Sequence, residues 1–318
     1  MLINIGFIIF WILRKNLLFL ISFLVILAGW ENVARYMQVR VFNHHTQSTE
    51  NIKLLSFNVR IFNQFNWIQG ISVRDSILNF VIKEHPDVVF FQDFFSDESH
   101  PKQSREYIKT KLSELPYRHL NFTFHSRNFC NYGVATYSKY PIINKGCINF
   151  GRSYNSCIYS DIVINNDTIR FYNVHFESIR LRKPKYAFTD SLTFSFNSKQ
   201  IDEMKDISGR LKHAFIKRAQ QVDQVSRHIS GSPYPVVVCG DFNDTPVSYT
   251  YQKVRGKLKD AYMSSGMGIG NTYRGSFPSF RIDYIFHSRE FKSFNYKTQR
   301  IKLSDHYPVS CELEIRKK

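Results

Sequence analysis

Apolar residues fall into two regimes along this chain. From Leu2 to Trp30 they run almost unbroken; from Asn51 onward they come in short blocks, each closed by polar residues. The first regime is itself divided. Leu2 to Leu13 is apolar except for Asn4, Arg14-Lys15-Asn16 interrupts, and Leu17 to Trp30 is apolar except for Ser22. Each run falls short of the ~20 residues a spanning helix needs. Read together, Ile12 through Trp30 make one tilted span with Arg14 and Lys15 snorkelling, so residues 1–32 are expected to be a membrane anchor. Basic residues flank it on both sides and leave its orientation open. The polar, aperiodic stretch 33–50 reads as a linker. Its His44-His45 pair has no third ligand nearby and reads as solvated.

The second regime, 51–318, reads as one catalytic-sized domain of alternating strands and helices. Lys53 to Val59 predicts a strand that ends near Asn58. Ser72 and Asp75 form a capping-box pattern before the helical spacing of Ile77, Leu78, Val81 and Ile82. Val88 to Gln92 is a continuous apolar run of the kind buried on both faces, and Asp93 follows it. Gln103 to Leu115 predicts a short helix, and Tyr132 to Ser138 another strand. Cys157–Ile164 and Thr168–Phe176 flank Asn165-Asn166-Asp167, a hairpin signal whose second arm delivers His175. A basic, irregular stretch from about Ile179 to Ser198 reads as an insertion facing substrate, with Arg180, Arg182, Lys183 and Lys185 in it. Met204 to Ile229 has the period of an amphipathic helix with Arg210, Lys212, Lys217 and Arg218 on its solvated face. Val236-Val237-Val238-Cys239-Gly240 is a buried strand that runs into Asp241-Phe242-Asn243-Asp244-Thr245-Pro246. Arg281 to Phe286 carries Asp283. Val309, Cys311, Leu313 and Ile315 alternate as a terminal half-buried strand, preceded by Ser304-Asp305-His306.

Charge narrows the partners. The net charge of +17 points to an anionic one: nucleic acid, an acidic membrane surface or a phosphorylated substrate. The five cysteines have neither zinc-ligand spacing nor an even count, so they read as buried thiols in strands.

Asn58, Asp93, His175, Asp241, Asn243, Asp283, Asp305 and His306 each lie at or near the end of an apolar strand. Any one of them has a plain reading as a polar turn residue. Their recurrence points to a cleft, because stacked strand ends are where one forms on a sheet scaffold.

The ordered motifs S-F-N-V, F-Q-D, N-Y-G-V-A-T-Y-S-K-Y-P-I, N-V-H-F-E-S, G-D-F-N, R-I-D-Y-I-F and S-D-H-Y-P-V resemble the endonuclease/exonuclease/phosphatase superfamily of deoxyribonuclease I-like phosphoesterases. The resemblance covers Asn51 to Ile315 and is to the membrane-anchored bacterial type, which implies an inner-membrane location. It implies an α/β four-layered sandwich, two packed mixed β-sheets flanked by helices. It also implies Mg²⁺ as cofactor, with Mn²⁺ as a substitute. Carried over by motif, Asn58, Asp93 and Asp305 would hold metal. Asp241, fixed by Asn243, would activate water; His306, backed by Asp283, would bind the scissile phosphate; His175 would stabilise the transition state.

The sequence departs from the family at Asp93, where glutamate is usual, which puts metal affinity in question. His175 replaces the tyrosine of abasic-site enzymes, which turns the expectation toward the deoxyribonuclease and sphingomyelinase side. Three readings follow: a phosphodiesterase acting on nucleic acid, the same chemistry on a phosphorylated lipid or inositol headgroup, or an anion-binding module with a decayed site. The oligomeric state is not legible.

Overall fold

The computed structural model describes residues 1–39, 51–125, 129–151, 153–179, 198–275 and 280–316. The helices are α1 (Leu2–Leu13), α2 (Phe19–Ala28), α3 (Trp30–Ala34), α4 (Val73–Glu84), α5 (Arg105–Lys111), α6 (Ser198–Ser230), α7 (Tyr249–Arg255) and α8 (Ala261–Ser265). The strands through the hairpin are β1 (Met37–Gln38), β2 (Ile52–Asn58), β3 (Val88–Asp97), β4 (Tyr117–His125), β5 (Cys130–Ser138), β6 (Ile142–Ile148), β7 (Ser156–Ile164) and β8 (Asp167–His175). Then follow β9 (Val236–Asp241), β10 (Lys259–Asp260), β11 (Gly268–Ile269), β12 (Asp283–His287), β13 (Phe291–Thr298) and β14 (Val309–Ile315).

Two six-stranded mixed sheets form the centre, ordered β10-β12-β9-β8-β7-β6 and β13-β14-β2-β3-β5-β4. Each has one parallel pair at its middle, β8 with β9 and β2 with β3, and is antiparallel elsewhere. Strand alternation sorts the side chains into three cores. Leu54, Phe90, Phe171, Val237 and Ile285 pack between the sheets. Leu55, Phe57, Val89 and Phe91 turn outward to meet α4 and α5, while Tyr172, Val174, Val236 and Val238 meet α6 and α7. The result is a four-layered α/β sandwich.

The same alternation places the polar strand ends. Along the inner face of β2 the order is Leu54, Ser56, Asn58; on β8 it is Phe171, Asn173, His175; on β9 it is Val237, Cys239, Asp241. Each strand passes from apolar to polar at the same end of the gap between the sheets. Asn165 (φ 50°) and Asn166 (φ 69°) close the β7–β8 hairpin with two left-handed residues, the turn that suits the twist of paired strands.

Several expectations need correcting. The stretch Ile12–Trp30 is not one helix: the chain breaks after Leu13, Lys15 adopts φ 49°, and α1 and α2 pack against each other. Among the described residues no helix is long and apolar enough to cross a membrane. The first half of the supposed linker is folded. Arg35 is only 5% exposed, donates to the Pro246 carbonyl at 3.3 Å and lies over the Tyr251 ring. Its own carbonyl accepts from buried Arg281 at 2.9 Å, and β1 pairs with β11. His44, His45 and the insertion arginines and lysines lie outside the described residues. The helix expected from Gln103 to Leu115 is only α5. The Ser72 hydroxyl donates to Asp75 rather than capping a backbone N–H. Cys157, Cys239 and Cys311 are buried in strands, but Cys147 is exposed.

Candidate active site

Asp241 stands at the centre of the polar strand ends. It is buried at the end of β9, and Gly240 before it makes this possible: at φ 142° a Cβ there would come within 2.0 Å of the Val174 carbonyl oxygen. The Asp241 carboxylate accepts from the Asn243 N–H at 2.8 Å, from the Asn243 side-chain amide at 3.2 Å and from the Asn58 amide at 2.9 Å. Asn243 (φ 51°) also donates to the Phe176 carbonyl at 3.0 Å, which locks the turn.

Two imidazoles flank this carboxylate. The Nε2 atoms of His175 and His306 are both 3.7 Å from Asp241 Oδ2. Each ring is backed by its own aspartate. His306 Nδ1 is 3.0 Å from Asp283 Oδ2, and His175 Nδ1 is 3.3 Å from Asp93 Oδ1. Burial pulls the pKa of His306 down, but the Asp283 and Asp241 carboxylates outweigh it and raise the value to about 10. His306 is therefore an imidazolium at neutral pH. Burial raises the pKa of Asp241 to about 6, with His306 and His175 opposing and Asp283 assisting.

The rest of the expected set lies around this triad of side chains. Arg60 joins Asp305 to Asn58: its Nε is 3.1 Å from Asp305 Oδ2, and its N–H donates to Asn58 Oδ1 at 3.0 Å. Ser304 donates to the Asn58 carbonyl at 2.8 Å and accepts the His306 N–H. Asp93 is placed differently from its expected metal-binding partners. A bulge between Phe91 and Phe94, with Asp93 at φ 49°, turns its carboxylate to the Tyr132 hydroxyl and to His175. Among the described residues no hydrogen bond joins it to Asn58 or Asp305.

Asp241, Asp283 and His306 have ligand-type atoms within 4.8 Å of one another. Within that trio His306 lies between the Asp241 and Asp283 carboxylates, 3.7 Å and 3.0 Å away, an ion-paired arrangement that suits a phosphate-binding imidazolium. Oxygen donors from Asn58, Asp241 and Asp305 are the better match to a hard divalent cation. Burial, the main cause of the raised pKa of Asp241, leaves its carboxylate poorly solvated, and a bound cation would offset that cost.

Four further contributors were not among the candidate site residues, although Gln92 and Asn173 lie inside the quoted motifs. Arg218 was expected on a solvated helix face but is 1% exposed, donating to the carbonyls of Glu177, at 3.1 Å, and Asn243. It braces the turn that holds Asp241. Gln92 and Asn173 bond each other at 2.7 Å across the two sheets directly beneath the site. The Tyr273 ring meets His306 edge to face at 5.3 Å.

The profile of the Endonuclease/Exonuclease/phosphatase family matches residues 55–306, a span that includes every one of these side chains. The chain belongs to this family. It is a family of phosphoester hydrolases that generally depend on a divalent metal. Among curated proteins nothing matches. Among solved structures, an endonuclease/exonuclease/phosphatase from Beutenbergia cavernae aligns with a TM-score of 0.63 at 13% identity, over 84% of this chain and 72% of that one. A humanized D. rerio TDP2 aligns at 0.59 and 14% identity, over 84% and 100%. A mannosyl-6-phosphatase from Bacteroides thetaiotaomicron aligns at 0.56 and 19% identity, over 83% and 100%. At these identities the likeness concerns the fold.

Proposed function

We propose that this family member is a divalent-metal-dependent phosphodiesterase whose substrate is nucleic acid. The observation that carries the chemistry is one buried carboxylate, Asp241, between two aspartate-backed histidines. Asp241, held by Asn243 and Asn58, orients the attacking water and takes its proton; a carboxyl pKa lifted toward neutrality suits a general base. His306, kept cationic by Asp283, binds a non-bridging phosphate oxygen. His175, oriented by Asp93, donates to the oxygen on which charge develops. Asn58 and Asp305 would hold the cation, together with Asp241. When bound it neutralises phosphate charge and eases departure of the leaving oxygen. The presence of both Asp–His pairs supports catalysis over simple anion binding.

The net charge of +17 supports a polyanionic substrate. A second reading, a phosphorylated lipid headgroup, is favoured by α1 and α2, apolar but for Asn4 and Ser22, which support attachment to a membrane. Purified protein supplied with Mg²⁺ should hydrolyse DNA or RNA. Asp241→Asn should lower turnover at least ~10³-fold, because it keeps the shape and removes the base. Undiminished activity in excess chelator would refute metal dependence.

A further inference from the structure

The loop between β2 and α4 carries side chains that hydrolysis itself leaves unused. Arg60, Ile61, Phe62 and Asn63 have φ of 43°, 46°, 51° and 62°. Four successive non-glycine residues in the left-handed region are costly, Ile61 most of all because its branched Cβ crowds the backbone. The fold holds them there. Phe62 is buried against Phe91 and Phe94 beneath the Arg74 guanidinium. The Asn63 side chain donates to the Ile68 carbonyl at 2.7 Å and accepts the Ile68 N–H at 2.9 Å, closing the loop on itself.

A loop closed this firmly could turn its rings inward, yet Phe65 is 71% exposed and Trp67 43%. The two rings meet edge to face at 5.3 Å. They stand at the mouth of the site: the Arg60 guanidinium lies 4.0 Å from the Trp67 ring centre while its Nε pairs with Asp305. Backbone strain kept to display bare aromatic rings beside a reactive cleft is the mark of a binding element.

We propose that Phe65 and Trp67 form a stacking platform for a nucleobase adjoining the scissile phosphate, with Arg60 joining platform to cleft. The proposal rests on the phosphodiesterase reading and adds which part of the substrate is recognised. A ring face accepts any base, so the platform is tolerant of sequence. The guanidinium against Trp67 suits a phosphate-flanked base and is ill matched to an acyl chain.

The test uses the full chain and two kinds of ester with one leaving group: thymidine p-nitrophenyl phosphates, 5′ and 3′, and methyl p-nitrophenyl phosphate. Trp67→Ala and Phe65→Ala should each lower the ratio of kcat/KM, nucleotide over methyl ester, by about tenfold. Trp67→Phe, which keeps a ring, should restore most of it. Ratios within about twofold of the parent protein's in both alanine variants overturn the platform. So does an unchanged ratio joined to loss of binding to anionic phospholipid vesicles, which would assign the rings to a bilayer. If the parent protein cleaves neither kind of ester, the hydrolase reading has failed on its own. Anisotropy of a labelled single-stranded oligonucleotide then decides the platform: about tenfold weaker binding by Trp67→Ala sustains it, and equal binding rejects it.

Discussion

At the scale of single residues, the site is built from opposed charges whose protonation sets when it can work. In the proposed mechanism Asp241 must be ionised to take a proton, so kcat/KM should rise as pH increases through about 6. His306 must stay protonated to bind phosphate, so the rate should fall as pH increases through about 10. A pH–rate profile should therefore be bell-shaped, with the acid limb moving lower as metal is added, since a cation favours the carboxylate. His306→Gln should abolish the alkaline limb. Asp93 offers a sharper case. Its contacts to His175 and Tyr132 make it an orienting group, so Asp93→Asn should lower kcat about tenfold to a hundredfold with little change in the metal concentration needed. A raised metal requirement with kcat intact would return Asp93 to the metal set. The sequence marked eight polar residues by their places at or near strand ends, but β3 runs on past Asp93 to Asp97, and the sequence could not show which way Asp93 faces. That depends on a one-residue bulge, which shifts a side chain without altering the apolar pattern around it.

At the scale of elements, patterning was most readable where one periodicity dominates. The β7–β8 hairpin and β9 follow from alternation and turn chemistry. Periodicity alone could not find β4, β6 or β13, whose faces are only partly buried, nor the burial of Arg218. An arginine on the polar side of an amphipathic helix reads as solvated unless another loop folds over it, which is a tertiary event. The polar stretch after the apolar helices misled for the same reason. Its composition is that of a linker, yet Val33 to Gln38 docks through Arg35 onto Pro246, three residues past Asn243, while Arg281, two before Asp283, reaches back to the Arg35 carbonyl. Arg35→Ala should lower stability by about 1–2 kcal/mol, through a lost buried hydrogen bond and the lost stacking on Tyr251. Denaturant unfolding would measure it. A loss within ~0.3 kcal/mol would mean that the segment is a passive tether after all.

At the scale of the whole molecule, two features pull toward different partners: excess positive charge and an apolar helical pair at one end. Salt separates them. Each phosphate contact that releases a condensed counterion steepens the fall of affinity with salt by about one unit of log–log slope. Arg274 is a suitable probe because its backbone N–H donates to the Asp305 carbonyl at 2.6 Å and its guanidinium reaches the Ser304 carbonyl, which places it at the edge of the cleft with no hydrogen bond or ion pair to Asp241 or either histidine among the described residues. If the positive field tracks a nucleic-acid backbone, Arg274→Ala should weaken oligonucleotide binding at low salt and flatten the slope by about one. Hydrolysis of methyl p-nitrophenyl phosphate should lose much less, since that ester has no neighbouring phosphate to contact. A slope identical to that of the parent protein would remove Arg274 from the track. A slope near zero for the parent protein itself would show that the +17 charge serves something other than a polyanionic substrate, and the headgroup reading would take its place.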